Sequence, residues 1–257
     1  MKRWKLLLLV ATVLLAPTMR AGAEVVQQGG LRIGFDGEFA PQRLPRDVPA
    51  PVHVTVGAKI ASTDGTPPPR LHSISIAINR AGRFDTGLLP ACSIRDIQPS
   101  TTARALEACG DSVVGSGSFS AKVLLPRQSS FPSSGRLIAF NGRYEGRPAI
   151  LAHVYGTEPI PTSFTLPFAI SEGKSNLGTV LSASLTDVTG KAGYITGLKL
   201  NLGRTVGKGK RRKGFINASC PAPKGFTVAV FPFARASFDF GSRKLSSTIA
   251  RKCQVRR

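Results

Sequence analysis

Beyond residue 23 the chain contains no tryptophan; the single one, Trp4, lies in the N-terminal segment. Protein faces that bind neutral sugars usually rely on exposed flat aromatic rings, whose faces stack on the apolar faces of the sugar. Only Tyr144, Tyr155 and Tyr194 accompany the phenylalanines here, which weakens the case for a carbohydrate module built on aromatic platforms. Histidine is equally scarce. His53, His72 and His153 each fall in a strand-like stretch, with no His-x-His or His-Glu-x-x-His spacing. Three such residues from three strands can bind zinc, but isolated histidines at sheet surfaces are the expectation. There is no Cys-x-x-Cys pair and no histidine near a cysteine, so no metal and no cofactor is expected.

Catalytic patterns are also missing. The stretch GSGSFS at 115–120 lacks the second glycine and the following helix that a nucleophile elbow requires. Asp36 and Glu38 would share one face of a strand. A glycosidase needs two carboxylates about 5 to 9 Å apart, but any β protein offers such a pair. No catalytic residue is assigned. After the first residues no apolar run reaches the length of a membrane span, about 20 residues, so no span is expected in the mature form.

What is present begins with an export pattern. Lys2, Arg3 and Lys5 precede an uncharged apolar run from Leu6 to Ala16, and Ala21-Gly22-Ala23 supplies small residues for cleavage. Residues 1–23 are read as a signal peptide and 24–257 as a single mature domain. Four cysteines in that context imply disulfides. Of the three pairings, Cys92–Cys109 and Cys220–Cys253 are favoured because sequence neighbours close short loops.

Charge is strongly one-sided, with 35 Lys and Arg against 14 Asp and Glu and a net +21. Most of the excess lies in the basic C-terminal part, residues 199–257, where Asp239 is the only acid. Such a field attracts polyanions and is screened by salt. Its densest point is KGKRRK: Lys208, Lys210, Arg211, Arg212 and Lys213, with Arg204 just before. Held at a hairpin tip, these side chains would face phosphate or carboxylate groups, which arginine binds bidentately. The competing reading is a solvated loop that serves solubility. Nucleic acid would bind only nonspecifically, through counterion release.

The period of the apolar residues is that of strands. Alternation runs through 52–60, 71–78, 113–125, 136–140, 149–154, 164–171, 180–185 and 194–202, with turn signals between. The richest run is GFTVAVFPFARASFDFG at 225–241, read as a long strand bent at Pro232, since proline cannot donate to a ladder. NGRYEGRP at 141–148 is read as a hairpin with Asn-Gly and Glu-Gly turn signals. One short helix is expected between Cys92 and Cys109, capped by Ser100 or Thr101 and ended by Gly110. The fold class is all-β: an antiparallel β-sandwich with one short helix.

The blocks FNGRYEGRPAILAHVYGTEPIPTSFTLPF and CPAPKGF, with the ALEACG turn, resemble a group of exported β-rich proteins of high-GC actinobacteria that has no assigned function. The resemblance implies an exported, envelope-associated β protein and brings no active-site residue with it. The functional expectation is a noncatalytic protein, secreted or in the extracytoplasmic envelope. Its basic surface would meet anionic envelope polymers or lipid head groups. The alternatives are an envelope-acting hydrolase and a carrier holding a lipid or other hydrophobic ligand between the sheets.

Overall fold

The computed structural model describes residues 23–256 apart from 125, 126, 128, 158–160, 175 and 187–192. Residues 1–22 of the expected signal peptide therefore lie outside the described residues. The chain opens with β1 (Glu24–Gln28), β2 (Leu31–Ala40), β3 (Arg43–Leu44), β4 (Ala50–Pro51), β5 (His53–Ser62), β6 (Ser73–Asn79) and β7 (Gly82–Phe84). Helices α1 (Ile94–Ile97) and α2 (Thr102–Cys109) follow, then β8 (Val113–Val123), β9 (Phe131–Tyr144), β10 (Arg147–Gly156), β11 (Thr162–Glu172) and β12 (Leu177–Ser184). The last third holds β13 (Gly193–Leu202), β14 (Thr205–Val206), β15 (Lys213–Gly214), β16 (Ile216–Ala218), β17 (Val228–Asp239) and β18 (Lys244–Val255).

Where two packed sheets were expected, the main-chain pairing runs unbroken through one 13-stranded sheet. Its order is β1-β2-β5-β13-β8-β9-β10-β11-β12-β6-β17-β18-β3, antiparallel except for the β18–β3 pair. The sheet curls until β18 lies against β1 and β2. Past Phe35, β2 has no strand on its outer edge, and the Arg251 guanidinium from β18 donates to the Gly37 carbonyl there. Strand alternation explains the curl. In β2, Leu31, Ile33, Phe35, Gly37 and Phe39 are buried while Arg32, Asp36, Glu38 and Ala40 are exposed, so one face of a twisted sheet folds around its own apolar side chains. Phe35 meets Phe238 edge-on at 6.4 Å, and Phe39 meets Phe233 at 5.4 Å.

The 225–241 run is bent, as its proline implies, by a register shift between Pro232 and Ala234. The shift moves the inward phase by one residue. Ala229, Phe231 and Phe233 turn inward before it, and Ala234, Ala236, Phe238 and Phe240 after it. Phe226 and Val230, at the head of the run, are instead 65% and 72% exposed. That head is the least buried part of the strand. Arg46 holds the approach to it by donating to the carbonyls of Ala222, Pro223 and Phe226.

Two helices stand where one was expected. Ser93 caps α1 through a capping box with Asp96, and Thr101 caps α2 by accepting from the Arg104 amide. Gly110 ends α2 in a right-handed rather than left-handed conformation. The pair covers the outer face of β9 and β10. Ile97, Ala105, Cys92 and Cys109 pack there on Ile138, Phe140, Ala149 and Leu151 in a second core. This is why β9 and β10 are buried on both faces from 137 to 142 and from 149 to 154.

Both expected disulfides are present, Cys92–Cys109 and Cys220–Cys253. Two disulfides fit an oxidising compartment outside the cytoplasm. Of the two hairpin signals, Glu145-Gly146 makes the turn, with φ of 49° and 75°. Asn141-Gly142 lies within β9. Buried Asn141 donates to the carbonyls of Thr86, Leu89 and Pro90, pinning the segment that leads to Cys92.

Candidate functional site: a cationic hairpin and the cleft at its root

The hairpin from Arg204 to Phe215 is framed by the pairing of β14 with β15, Thr205 opposite Gly214 and Val206 opposite Lys213. A 3₁₀ turn at Gly209–Arg211 forms its tip. Gly207 and Gly209 adopt φ of 80° and 56°, conformations that favour glycine. The base is anchored firmly. Phe215 is fully buried, donates its amide to the Arg204 carbonyl and packs edge-on against Phe84 at 5.6 Å. A Cβ on Gly214 would stand 2.8 Å from Pro51, so the hairpin is pressed onto the end of the sheet.

Of the six cations singled out in the sequence, Arg204, Lys208, Arg211, Arg212 and Lys213 are exposed on this hairpin. Lys210 lies in its 3₁₀ turn, with its side chain outside the described residues. Among the described residues none of them forms an ion pair; the two pairs present are Arg147–Glu145 and Lys244–Asp239. Several other cations of 199–257 are engaged elsewhere. Arg235 donates to Thr248, Arg251 to Gly37, and Arg243 to Gln28. The basic C-terminal part is therefore no tail. Its strands are woven into the sheet, and the hairpin presents its densest cluster of exposed, unpaired cations.

Sequence reasoning missed the cleft at the root of the hairpin. A space of about 380 Å³ opens between α2 and the outer face of β5, β13, β8 and β9. Thr55, Asn201 and Ser116 form its floor in neighbouring register positions on β5, β13 and β8, and the Thr55 hydroxyl donates to Asn201 Oδ1 at 2.9 Å. Buried Ile138 on β9 continues that row beside Ser116; Leu106 and Val113 make an apolar wall, and His53, Arg136 and Arg204 stand around it. No carboxylate lines it. Gly203 sets the rim. A Cβ there would lie 2.2 Å from His53 Nδ1, and the Gly203 amide donates to the Val114 carbonyl at 3.0 Å. The GSGSFS stretch supplies one wall of this cleft as plain strand. A Cβ on Gly115 or Gly117 would lie 2.0 Å from the Asn201 carbonyl or 1.8 Å from that of Lys199, so these glycines let β8 approach β13 closely.

Two of the three histidines are exposed as expected, and one is not. His53 and His72 are exposed, but His153 is fully buried beneath the helix pair, because α1 and α2 roof the outer face of β10. Burial lowers its pKa below the usual 6.5. Among the described residues, one group of metal-type ligands gathers, Cys92, Asp96 and Cys109, and its two sulfurs are joined in the disulfide. Asp36 and Glu38 share the exposed face of β2, as their spacing implied, away from the cleft lining. Apolar voids inside the sheet measure about 40 Å³, beside Phe39 and Phe84, and about 10 Å³, beside Phe119 and Phe238.

No family model, characterised protein or solved structure matches this chain.

Proposed function

We propose that this is an exported, noncatalytic protein of the cell envelope that holds anionic envelope polymers through the hairpin at 204–213. The observation behind this reading is the set of exposed cations on a hairpin anchored by Phe215, with no carboxylate paired to them among the described residues. An immobile base lowers the ordering cost of binding, and arginine adds bidentate contacts to phosphate or carboxylate. The N-terminal pattern at 1–23 and the two disulfides support export. We read the curled sheet as a sandwich-like pair of walls, on the strength of the phenylalanine contacts across it.

The other readings have less support. A lipid carrier needs an interior of about 300 Å³ or more, and among the described residues the apolar voids beside Phe39 and Phe119 hold about 40 and 10 Å³. A carboxylate hydrolase needs acids in a cleft, and the cleft lining is cationic.

The test is retention of the mature protein on isolated cell-wall fractions across a salt gradient. The wild type should elute steeply between about 50 and 200 mM salt, as polyanion binding by counterion release does. Changing Lys208, Lys210, Arg211, Arg212 and Lys213 to Gln should abolish retention. Retention that survives this change, or that ignores salt, would overturn the reading.

A further inference from the structure

We propose that the cleft at the root of the hairpin is a subsite for one anionic sugar or polyol unit, whose phosphate or carboxylate is held by Arg136 and Arg204. The inference rests on the polymer-binding reading above and adds the chemistry of the unit recognised.

Three features of the lining match such a unit. Arg136 on β9 and Arg204 after β13 are exposed at the cleft, and among the described residues neither guanidinium has a hydrogen-bond or ion-pair partner. The absence of any lining carboxylate leaves the local field positive, so an oxyanion entering there meets forked donors and no like charge. The floor offers hydroxyl and amide groups. Thr55 satisfies Asn201 Oδ1, and among the described residues the Asn201 amide hydrogens and the Ser116 hydroxyl are open to ligand oxygens. Beside them, half-buried Leu106 and Val113 present aliphatic surface, on which the C–H face of a sugar ring or polyol chain loses water favourably.

Size and placement agree with this. At about 380 Å³ the cleft falls at the small end of ligand sites, which run from about 300 to 1,000 Å³. Arg204 belongs to both the cleft and the hairpin, so an anionic chain with one unit in the cleft continues directly along Lys208 to Lys213. The hairpin then supplies charge without selectivity, and the cleft supplies the recognition of a single unit. The rim is built to hold its shape, since Gly203 packs against the His53 ring where no larger residue fits.

The experiment uses the full mature chain and two short probes, a trimer of glycerol phosphate and a trimer of galacturonate, followed by titration calorimetry and by amide chemical shifts. Either probe should bind one-to-one and move the resonances of Thr55, Ser116 and Asn201. Binding of the first alone identifies a polyol phosphate as the unit, and of the second alone a uronate; binding of both identifies the oxyanion as the recognised group. Arg136→Gln should weaken probe binding tenfold or more, and Ser116→Leu, which fills the floor, should abolish it. The variant with the five hairpin cations Lys208, Lys210, Arg211, Arg212 and Lys213 changed to Gln should bind the trimer more weakly, still move the Thr55, Ser116 and Asn201 resonances on saturation, and lose cell-wall retention. Failure of both probes to bind the wild type, or unchanged binding by Arg136→Gln and Ser116→Leu, would overturn the subsite. A hairpin variant that keeps its cell-wall retention would overturn only the polymer reading.

Discussion

Acidification should weaken this protein through one residue, His153. Its side chain is 0% exposed, and neither ring nitrogen has a hydrogen-bond partner among the described residues. Cross-strand register sets it between Ile138 of β9 and Thr165 of β11, under the roof of the helix pair. Burial alone lowers its pKa from 6.5, because a charged imidazolium there would lose its hydration with nothing in return. The folded state thus holds the neutral ring while the unfolded chain takes up a proton near pH 6.5. His153's contribution is complete above pH 6.5 and is lost as pH falls towards its depressed folded value. Below that value it changes no further. The slope approaches about 1.4 kcal/mol per pH unit only well below pH 6.5, so a step from pH 6.5 to 5.5 costs at most about 1 kcal/mol out of a total that is typically about 5–15 kcal/mol. Asp64 and Asp239 also have lowered pKa values, held down by hydrogen bonds from Thr66 and Gly241, but they act below their ordinary value of 3.8, outside this window. Urea unfolding at pH 7.5, 6.5 and 5.5 measures the effect, with His153→Leu as the control that cannot titrate. The wild type should lose up to about 1 kcal/mol more than His153→Leu over the lower step. The 98–100 turn, where Gln98 accepts from the Thr165 amide and Ser163 from the Ser100 amide, should loosen first in hydrogen exchange. Equal pH slopes for the two proteins, or a His153 resonance titrating near 6.5 in the folded state, would refute the reasoning.

Two stability predictions follow from the packing. Phe238→Ala should cost about 3–5 kcal/mol, the usual range for a buried phenylalanine, since Phe238 is 0% exposed against Phe35; Phe226→Ala, in the same run, should stay within about 0.5 kcal/mol, as thermal unfolding will show. The disulfides should separate by location. With 17 and 33 residues of separation, removal costs about 3 and about 4 kcal/mol respectively in the loop-entropy account. Replacing Cys92 and Cys109 should raise hydrogen exchange in α1 and α2 before the sheet opens, whereas replacing Cys220 and Cys253 should lower the Tm of the whole sheet.

Much of the fold was legible residue by residue. Alternation at 52–60, 71–78 and 164–171 matches β5, β6 and β11, because a strand with one wet face must repeat every two residues. The cap at Thr101 and the turn at Glu145-Gly146 were equally local, as each depends on a side-chain oxygen or a positive φ within a few residues. Asn141-Gly142 shows the limit. The same dipeptide serves as a turn or, as here, as a strand segment whose Asn holds three carbonyls and whose Gly admits Leu151; a Cβ there would lie 2.5 Å from Leu151 Cδ1. The cationic hairpin could be read as a cluster because its members are adjacent in the chain. The cleft could not, since it is assembled from residues 53–55, 106, 113–116, 136–138 and 201–204.

The amino-acid order alone was enough for the strand periods and the concentration of positive charge near residue 210, both properties carried by short stretches, and it favoured the nearest-neighbour disulfides among three possible pairings that the folded chain then decided. Only the folded chain decided that the strands join into one curled sheet, that the head of the 225–241 run faces solvent, that His153 is sealed under the helices and that a cationic cleft opens beside Arg204. Each of these depends on which distant segment covers a given face, and a strand's own pattern records that it has two faces without naming the neighbour on either.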